Sequence, residues 1–515
     1  MRTKTPIRRT LALVPLFTLS LVANAKSHAS PAGRLQPGLP GVAASPLNSF
    51  IQKKVDGIWL GAIEVSGFKL RLALKITRRA DGTLTAKLDS IDQGANDLPI
   101  DTITLEGETV RFQASTLGLS FEGKLNSDSS ELSGQLKQGP ASHPVIFKRT
   151  DRPPTLNRPQ DPQKPYPYAA EEVSYENKTD KVKLAGTLTL PNSKRPVPAV
   201  VLITGSGPED RNETVFGHRP FLVIADYLTR RGIAVLRVDD RGVGGTSPGS
   251  PETDTSENFV ADVLTGVAFL KNRKEINPRQ IGLIGHSEGG MIAPLAAVKS
   301  KEVAFIVLLA GPGQKGADVV LAQGDLLLKA SGADAETIRQ TRIVFSKIFV
   351  ILQNEKDNLA AEKQIREMVA AQVAGMTGDQ KKTFAPVVST IDSQMPLYSS
   401  AWFRYFLSYD PAPTLRRVRI PVLALVGEKD LQVPPQENLR LIKASLKTGG
   451  NRDYTALVLP GLNHLFQHTN GTGSPSEYGA IDETISADAL QTMSDWILRH
   501  TSVAARATTG KRARK

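Results

Sequence analysis

The 515-residue chain contains no cysteine. That excludes a disulfide, a thiol nucleophile and a lipid anchor carried on cysteine. It is compatible with an oxidising compartment without requiring one. Histidine is also scarce, at seven residues, so imidazole chemistry has few candidates. No stretch beyond the N-terminus is long and apolar enough to span a bilayer. The large basic excess is mostly an end effect. Of the net charge of +13, four charges lie in residues 1–25 (Arg2, Lys4, Arg8, Arg9). Five more lie in the tail (Arg506, Lys511, Arg512, Arg514, Lys515), leaving +4 for the body. Nucleic-acid binding is therefore not expected, and the tail over 505–515 reads as a solvated basic end.

What is present divides the chain into parts. The basic start, the apolar run Leu11–Val22 and the Ala23-Asn24-Ala25 sequence read as a secretory signal peptide over 1–25. Export to a periplasmic or extracellular space follows from it. Residues 26–46, rich in Ala, Ser, Pro and Gly, read as a flexible leader. Over 47–150 short strands with partial period-2 alternation, such as Leu70–Ile76 and Thr109–Phe112, are separated by turn signals such as Asp81-Gly82. They predict an antiparallel meander or small barrel. The proline-rich run over 151–168 predicts a stiff linker. From 169 to 504 strands and helices alternate, which implies right-handed crossovers and a mostly parallel sheet. The alternation stops between 311 and 420, where helices are predicted at Leu321–Ala330, Ala335–Gln353, Ala360–Val373 and Trp402–Leu407. An all-helical insertion between two sheet strands suggests a cap over the carboxyl edge of the sheet.

Gly285-His286-Ser287-Glu288-Gly289 is the most informative stretch. A strand is predicted just before it (Ile281–Ile284) and a helix just after it (Gly290–Val298). A turn that tight has no room for side chains at its glycines and pushes the central serine out of the sheet, beside a helix N-terminus. Taken as five letters the pattern is equally a glycine-rich turn; the flanking elements make Ser287 the candidate nucleophile. A serine hydroxyl needs a base, and the base an orienting acid. Pro421–Val426 is an apolar strand ending in the turn that carries Asp430. Tyr454–Leu459 is another, followed by Pro460-Gly461 and His464. Strand ends at the carboxyl edge are where open parallel sheets gather ligand-binding groups. His468 is the rival base; Asp410 and Glu428 are the rival acids. His28, His143, His218 and His500 are not presented by a strand end, and His286, inside the elbow, cannot reach around to act on Ser287 as the base. For a tetrahedral oxyanion the donors are the N–H of Glu288 and that of Ser206, in the loop Thr204-Gly205-Ser206-Gly207-Pro208 that follows the strand Ala199–Ile203.

With these residues in place the chain resembles the α/β-hydrolase superfamily, and within it exported bacterial esterases grouped with serine aminopeptidases. The likeness rests on the elbow at Ser287, on Asp430, His464 and Gly205-Ser206, and on Asp239-Asp240-Arg241-Gly242-Val243-Gly244-Gly245-Thr246-Ser247, similar to a D-x-R-G-x-G-x-S loop of that superfamily. It departs at Thr204, where a histidine is common, and in the charged run Glu209-Asp210-Arg211-Asn212-Glu213. The resemblance implies an α/β-hydrolase sheet with a helical cap, preceded by a small antiparallel domain. It implies ester hydrolysis through a Ser-His-Asp triad and an acyl-enzyme, with no metal or organic cofactor and a small ester or short peptide as substrate. Peptide cleavage at an amino terminus, with Glu355, Glu362 or Glu367 holding the amine, is the second reading. A non-catalytic binding protein that uses its β domain is a third. Trp402 and Phe406, in the densest aromatic cluster, are candidates for either core or pocket lining.

Overall fold

Alternation writes the first unit. In Thr109–Ala114 the residues Val110, Phe112 and Ala114 are buried while Arg111 and Gln113 face solvent, and neighbouring strands repeat the pattern. The structure, a computed structural model, describes residues 54–65, 68–138, 141–250 and 252–512. The expected signal peptide and leader lie outside the described residues. The described residues fall into two compact units, one ending at Leu156 and the other beginning at Asn157.

The first unit is a nine-stranded antiparallel sheet: β1 (Gly57–Val65), β2 (Phe68–Arg78), β3 (Leu84–Ser90), β4 (Ala95–Pro99), β5 (Thr102–Glu106), β6 (Thr109–Ala114), β7 (Leu119–Leu125), β8 (Glu131–Gln138) and β9 (Ala141–Thr150). It is a meander in which β1 also pairs with β9, giving the order β4-β3-β2-β1-β9-β8-β7-β6-β5. Trp59, Leu74, Phe112, Phe121, Leu132 and Phe147 form its core. β4, β7 and β8 have no counterpart in the sequence expectation. In β8 only Leu132 and Leu136 are buried apolar residues, so alternation is faint. Gly134 is needed because a Cβ there would lie 2.3 Å from the Glu122 carbonyl oxygen.

The second unit opens with a hairpin, β10 (Ala169–Asn177) and β11 (Val182–Leu190), and continues β12 (Val197–Ile203), α1 (Pro220–Arg230), β13 (Ala234–Val238), α2 (Ser256–Lys271), β14 (Ile276–His286), α3 (Gly289–Lys299) and β15 (Phe305–Leu309). Six helices follow: α4 (Gly316–Ala330), α5 (Ala335–Asn354), α6 (Asn358–Ala374), α7 (Gly378–Tyr398), α8 (Ala401–Ser408) and α9 (Pro411–Leu415). The chain then returns as β16 (Val422–Gly427), α10 (Pro435–Thr448), β17 (Tyr454–Leu459), α11 (Pro475–Tyr478) and α12 (Ala487–Arg512). The sheet order is β10-β11-β13-β12-β14-β15-β16-β17. Every pairing from β13 to β17 is parallel, and the hairpin strand β11 joins β13 antiparallel.

Both faces are covered, so the central strands are apolar throughout rather than alternating. One face packs Val260, Val267, Ile292 and Ile442 from α2, α3 and α10. The other packs Phe221 and Leu228 of α1 with Met493 and Trp496 of α12. From β12 the chain passes to β13 on one side and then to β14 on the other. This order reversal opens a crevice at the carboxyl ends of β12 and β14.

Two expectations change. The helix α7 was not expected, because Pro386 and Pro396 interrupt it and proline disfavours a helix interior. It forms because Phe384, Val387, Ile391, Met395 and Tyr398 make one buried stripe that joins the core of the helical segment. Its start carries a readable signal, a capping box between Thr377 and Gln380. The expected linker over 151–168 is not free along its length. From Asn157 the chain is tied to the second unit: Arg158 donates to the carbonyls of Phe216 and Gly479, Gln160 donates to Ile485 O at 2.7 Å, and Asp161 pairs with Arg219 at 2.6 Å. Proline stiffens this strap, and side chains between the prolines fasten it. Among the described residues no helix is long and apolar enough to cross a membrane.

Candidate active site

β14 runs straight into α3 through Ser287, whose φ is +53°. That left-handed conformation costs a non-glycine residue on the order of 1–3 kcal/mol and persists only where its surroundings enforce it. Here they do. The Ser287 N–H donates to Leu309 O at 2.8 Å. A Cβ at Gly285 would lie 2.0 Å from Gly289 O, and one at Gly289 would lie 2.3 Å from Ile203 O. The glycines are therefore spacing, not flexibility. Ser287 is half-exposed at the N-terminus of α3.

β16 and β17 deliver the other two residues. His464 Nδ1 is 2.8 Å from Asp430 Oδ2, with both side chains buried (3% and 1% exposed). Asp430 Oδ1 accepts from the N–H groups of Gln432 and Val433, each at 2.8 Å. A carboxylate can only accept, so the imidazole proton sits on Nδ1 and Nε2 is left as the acceptor. Among the described residues Ser287 and His464 are not hydrogen-bonded to each other. Free active sites commonly close such a contact only around substrate. The His464 ring lies 4.8 Å, centre to centre, from that of His286, the neighbour of Ser287 in the chain.

The rivals have other employment. His468 is exposed and paired with Glu483 at 2.9 Å. His218 is fully buried between Thr484 and the Tyr478 carbonyl, and burial pushes its pKa down to about 4. His500 rests on Trp496 and bonds its carbonyl. Asp410 caps α9 by accepting from Ala412 N. Glu428 accepts from Gly461 N at 2.9 Å.

The loop after β12 lies against the elbow: a Cβ at Gly205 would be 3.4 Å from the Ser287 Cβ. Its departures from the superfamily pattern are structural. Thr204 Oγ1 donates to Asp240 at 2.9 Å, and Glu209 N donates to the same carboxyl; burial raises the Asp240 pKa to about 8. Arg211 forks onto Asp239, which also accepts from Gly245 N. Arg241 holds Asp180, Asp254 and Asp262 together. The charged run thus faces inward and folds the loop.

The side chains of Glu213, His286, Ser256 and Glu288 had no site role in the sequence expectation. Glu213 Oε1 accepts from Gly205 N at 2.9 Å and lies 2.9 Å from His286 Nδ1. His286 Nε2 meets the His464 carbonyl oxygen at 3.1 Å. Burial is the largest single influence and pulls the His286 pKa down, but Glu213, the His464 carbonyl and Asp430 together hold it above the usual value. Glu288 is 2% exposed. It accepts from Ser256 Oγ at 2.6 Å and from Trp402 Nε1 at 2.9 and 3.1 Å. The Ser206 hydroxyl approaches the same carboxyl. Burial raises the Glu288 pKa against these donors. The only sequence signals were an unassigned acid at Glu213 and a histidine beside the candidate nucleophile. Among the described residues no cluster of His, Asp and Glu is arranged to hold a metal ion.

Residues 200–472, more than half of the chain, match the alpha/beta hydrolase family. The chain belongs to that family. This hydrolase is 27% identical over 325 residues to the esterase EstD of Thermotoga maritima, a match covering 62% of this chain and 68% of EstD. It is 34% identical over 142 residues to the esterase FrsA of Vibrio cholerae, covering 27% of this chain and 31% of FrsA. Among solved structures, that of Est1E from Butyrivibrio proteoclasticus with ferulic acid bound aligns at 15% identity, over 64% of this chain and 99% of that one, with a TM-score of 0.38. The match to the family and the observed sheet agree on an alpha/beta hydrolase fold.

Proposed function

We propose that this alpha/beta hydrolase is an exported serine esterase that cleaves carboxylic esters through Ser287, His464 and Asp430. The observation that carries the proposal is the buried Asp430–His464 contact at 2.8 Å, on the same sheet edge as a serine held at φ +53° beside a helix N-terminus. In this reading Ser287 Oγ attacks the ester carbonyl while His464 Nε2 takes its proton. Asp430 fixes the imidazole tautomer and stabilises the imidazolium. The N–H groups of Glu288 and Ser206 receive the oxyanion; among the described residues neither donates elsewhere. His464 returns the proton to the leaving alcohol. Water, deprotonated by the same ring, then releases the acid from the acyl-enzyme. The esterase names of EstD and FrsA support an ester over a peptide.

The peptide reading finds less support. Glu362 pairs with Arg366 and Glu367 with Lys363 on exposed helical faces, and Glu355 bonds Gln364. Export rests on the N-terminal sequence and is tested by reading the mature N-terminus. α4–α9 form the cap of this proposal, since Met291 of α3 and Val433 belong to the helices' core.

Turnover of p-nitrophenyl acetate and butyrate, beside alanine p-nitroanilide, tests the reaction. Esters are expected to be cleaved and the anilide spared. Loss of Ser287 or His464 should each cost about 10⁴-fold or more. Anilide cleavage exceeding ester cleavage would move the assignment to the peptidases.

A further inference from the structure

The proposed oxyanion donors are the main-chain N–H groups of two residues whose side chains meet. The Glu288 carboxyl lies in a buried site. Two hydrogen-bond donors from separate elements converge there, Ser256 at the start of α2 and Trp402 in α8, and the Ser206 hydroxyl of the loop after β12 lies nearby. α8 lies in the helical segment between β15 and β16 and is 114 residues from Glu288 in sequence. It is anchored a second time one turn on, where Tyr405 OH donates to Glu257 Oε1 of α2 at 3.1 Å. The Trp402 ring stacks on Phe406 at 5.7 Å, and Phe406 is buried in the core of that segment. The indole therefore has one edge in the cap's core and its N–H on the residue that follows the nucleophile.

We propose that Glu288 and Trp402 are positioning residues: the Glu288 carboxyl sets the spacing of the two oxyanion donors, and the Trp402 N–H makes that spacing depend on the seating of α8. This rests on the esterase reading and adds to it a link between the cap and the oxyanion site. A carboxyl that accepts from several directions fixes its own main chain in rotation, and the Glu288 N–H is one bond from the Cα that carries it. The loop carrying Ser206 meets the same anchor. When α8 is seated, Trp402 completes the set; when α8 lifts, the anchor loses its two-oxygen donor. The oxyanion site is then assembled by cap closure, and substrates that hold α8 down are turned over faster without being bound more tightly. Uniform binding changes KM, whereas a donor that matters only when charge develops changes kcat.

The test uses the full-length mature protein and p-nitrophenyl butyrate. Trp402→Phe keeps the ring and removes only the N–H. Its kcat should fall about 10-fold or more, with KM within about threefold, because misplacing an oxyanion donor costs part of the 10²–10³ that its removal costs. Binding of phenylboronic acid, which forms a tetrahedral adduct on an activated serine, should weaken by the same factor as kcat/KM. Glu288→Ala keeps the main-chain donor and removes the carboxyl; Trp402→Phe added to it should change kcat by less than twofold, since the indole acts through that carboxyl. The proposal is overturned if Trp402→Phe keeps kcat within twofold of wild type. It is equally overturned if its loss is the same with and without Glu288, or if melting temperature falls while boronate affinity holds. A fluorophosphonate probe separates the two levels. Labelling of Ser287 with a failed cycle removes only the link, whereas no labelling of the wild type removes the esterase reading.

Discussion

Replacing Glu213 by Gln tests the ion pair beneath the elbow, where electrostatics and loop geometry meet. The wild-type carboxyl oxygen accepts from Gly205 N and faces His286 Nδ1, each at 2.9 Å. The other ring nitrogen faces a carbonyl, which only accepts, so Nε2 carries a proton and Nδ1 carries the titrating one. A glutamine oxygen can still serve Gly205, but it offers no charge to the imidazolium. Neutralising the ring then turns the Nδ1 lone pair toward that same oxygen. One charge-assisted hydrogen bond is lost, worth about 1.5–3 kcal/mol, which in a domain of this size lowers Tm by about 2–4 °C. The sign of the pH dependence follows from the raised His286 pKa. Its contribution is fully present below the unfolded histidine value of about 6.5 and is lost as pH rises through the folded value. The gap between wild type and Glu213→Gln should therefore be widest near pH 6 and narrow toward pH 9, read by urea unfolding at each pH. A gap that is absent at pH 6, or that widens as pH rises, would show that Glu213 does not stabilise a charged His286.

Other outcomes follow from the same geometry. Asp430→Asn should lower kcat by about 10⁴ by releasing the histidine tautomer, while His468→Ala, whose ring pairs with Glu483 on the surface, should stay within twofold in the same ester assay. Phe406→Ala should cost about 3–5 kcal/mol of stability and leave the preference between short and longer esters unchanged, because the ring is buried in the helical core; an altered chain-length profile would place it at the pocket. A chain beginning at Arg152 should keep ester turnover, whereas one beginning at Tyr168 should unfold at lower temperature, because it lacks the strap contacts of Arg158, Gln160 and Asp161; equal melting curves would show the strap to be idle.

The elements that carry the candidate site were legible because each is local. β14, β16 and β17 are short apolar runs, and the turns after them hold the glycines and prolines that end a strand. α7 was hidden by its two prolines, because a buried stripe spread over 15 residues outweighs a local penalty. β8 was hidden because a glycine forced by a 2.3 Å approach leaves little pattern. The partners of the site were hidden by distance along the chain. Glu213 and His286 are 73 residues apart, and Glu288 and Trp402 are 114 apart; no spacing rule connects them. His286 was set aside as a candidate base, which gave no hint that its Nε2 meets the His464 carbonyl oxygen. The charged run at Glu209–Glu213 stood only as a departure from the superfamily pattern until Asp239, Asp240 and His286 supplied the partners that turn it inward.

The proposed esterase reaction requires Ser287 to be an activated nucleophile. Intact-mass and peptide analysis after treatment with a fluorophosphonate measures this directly, since the reagent bonds to a serine whose proton a neighbouring base removes. One adduct per chain is expected, on the peptide containing Ser287, with ester turnover lost in step, and no adduct in Ser287→Ala or His464→Ala. An unlabelled, well-folded wild type, or a Ser287→Ala protein that still hydrolyses esters, would contradict it.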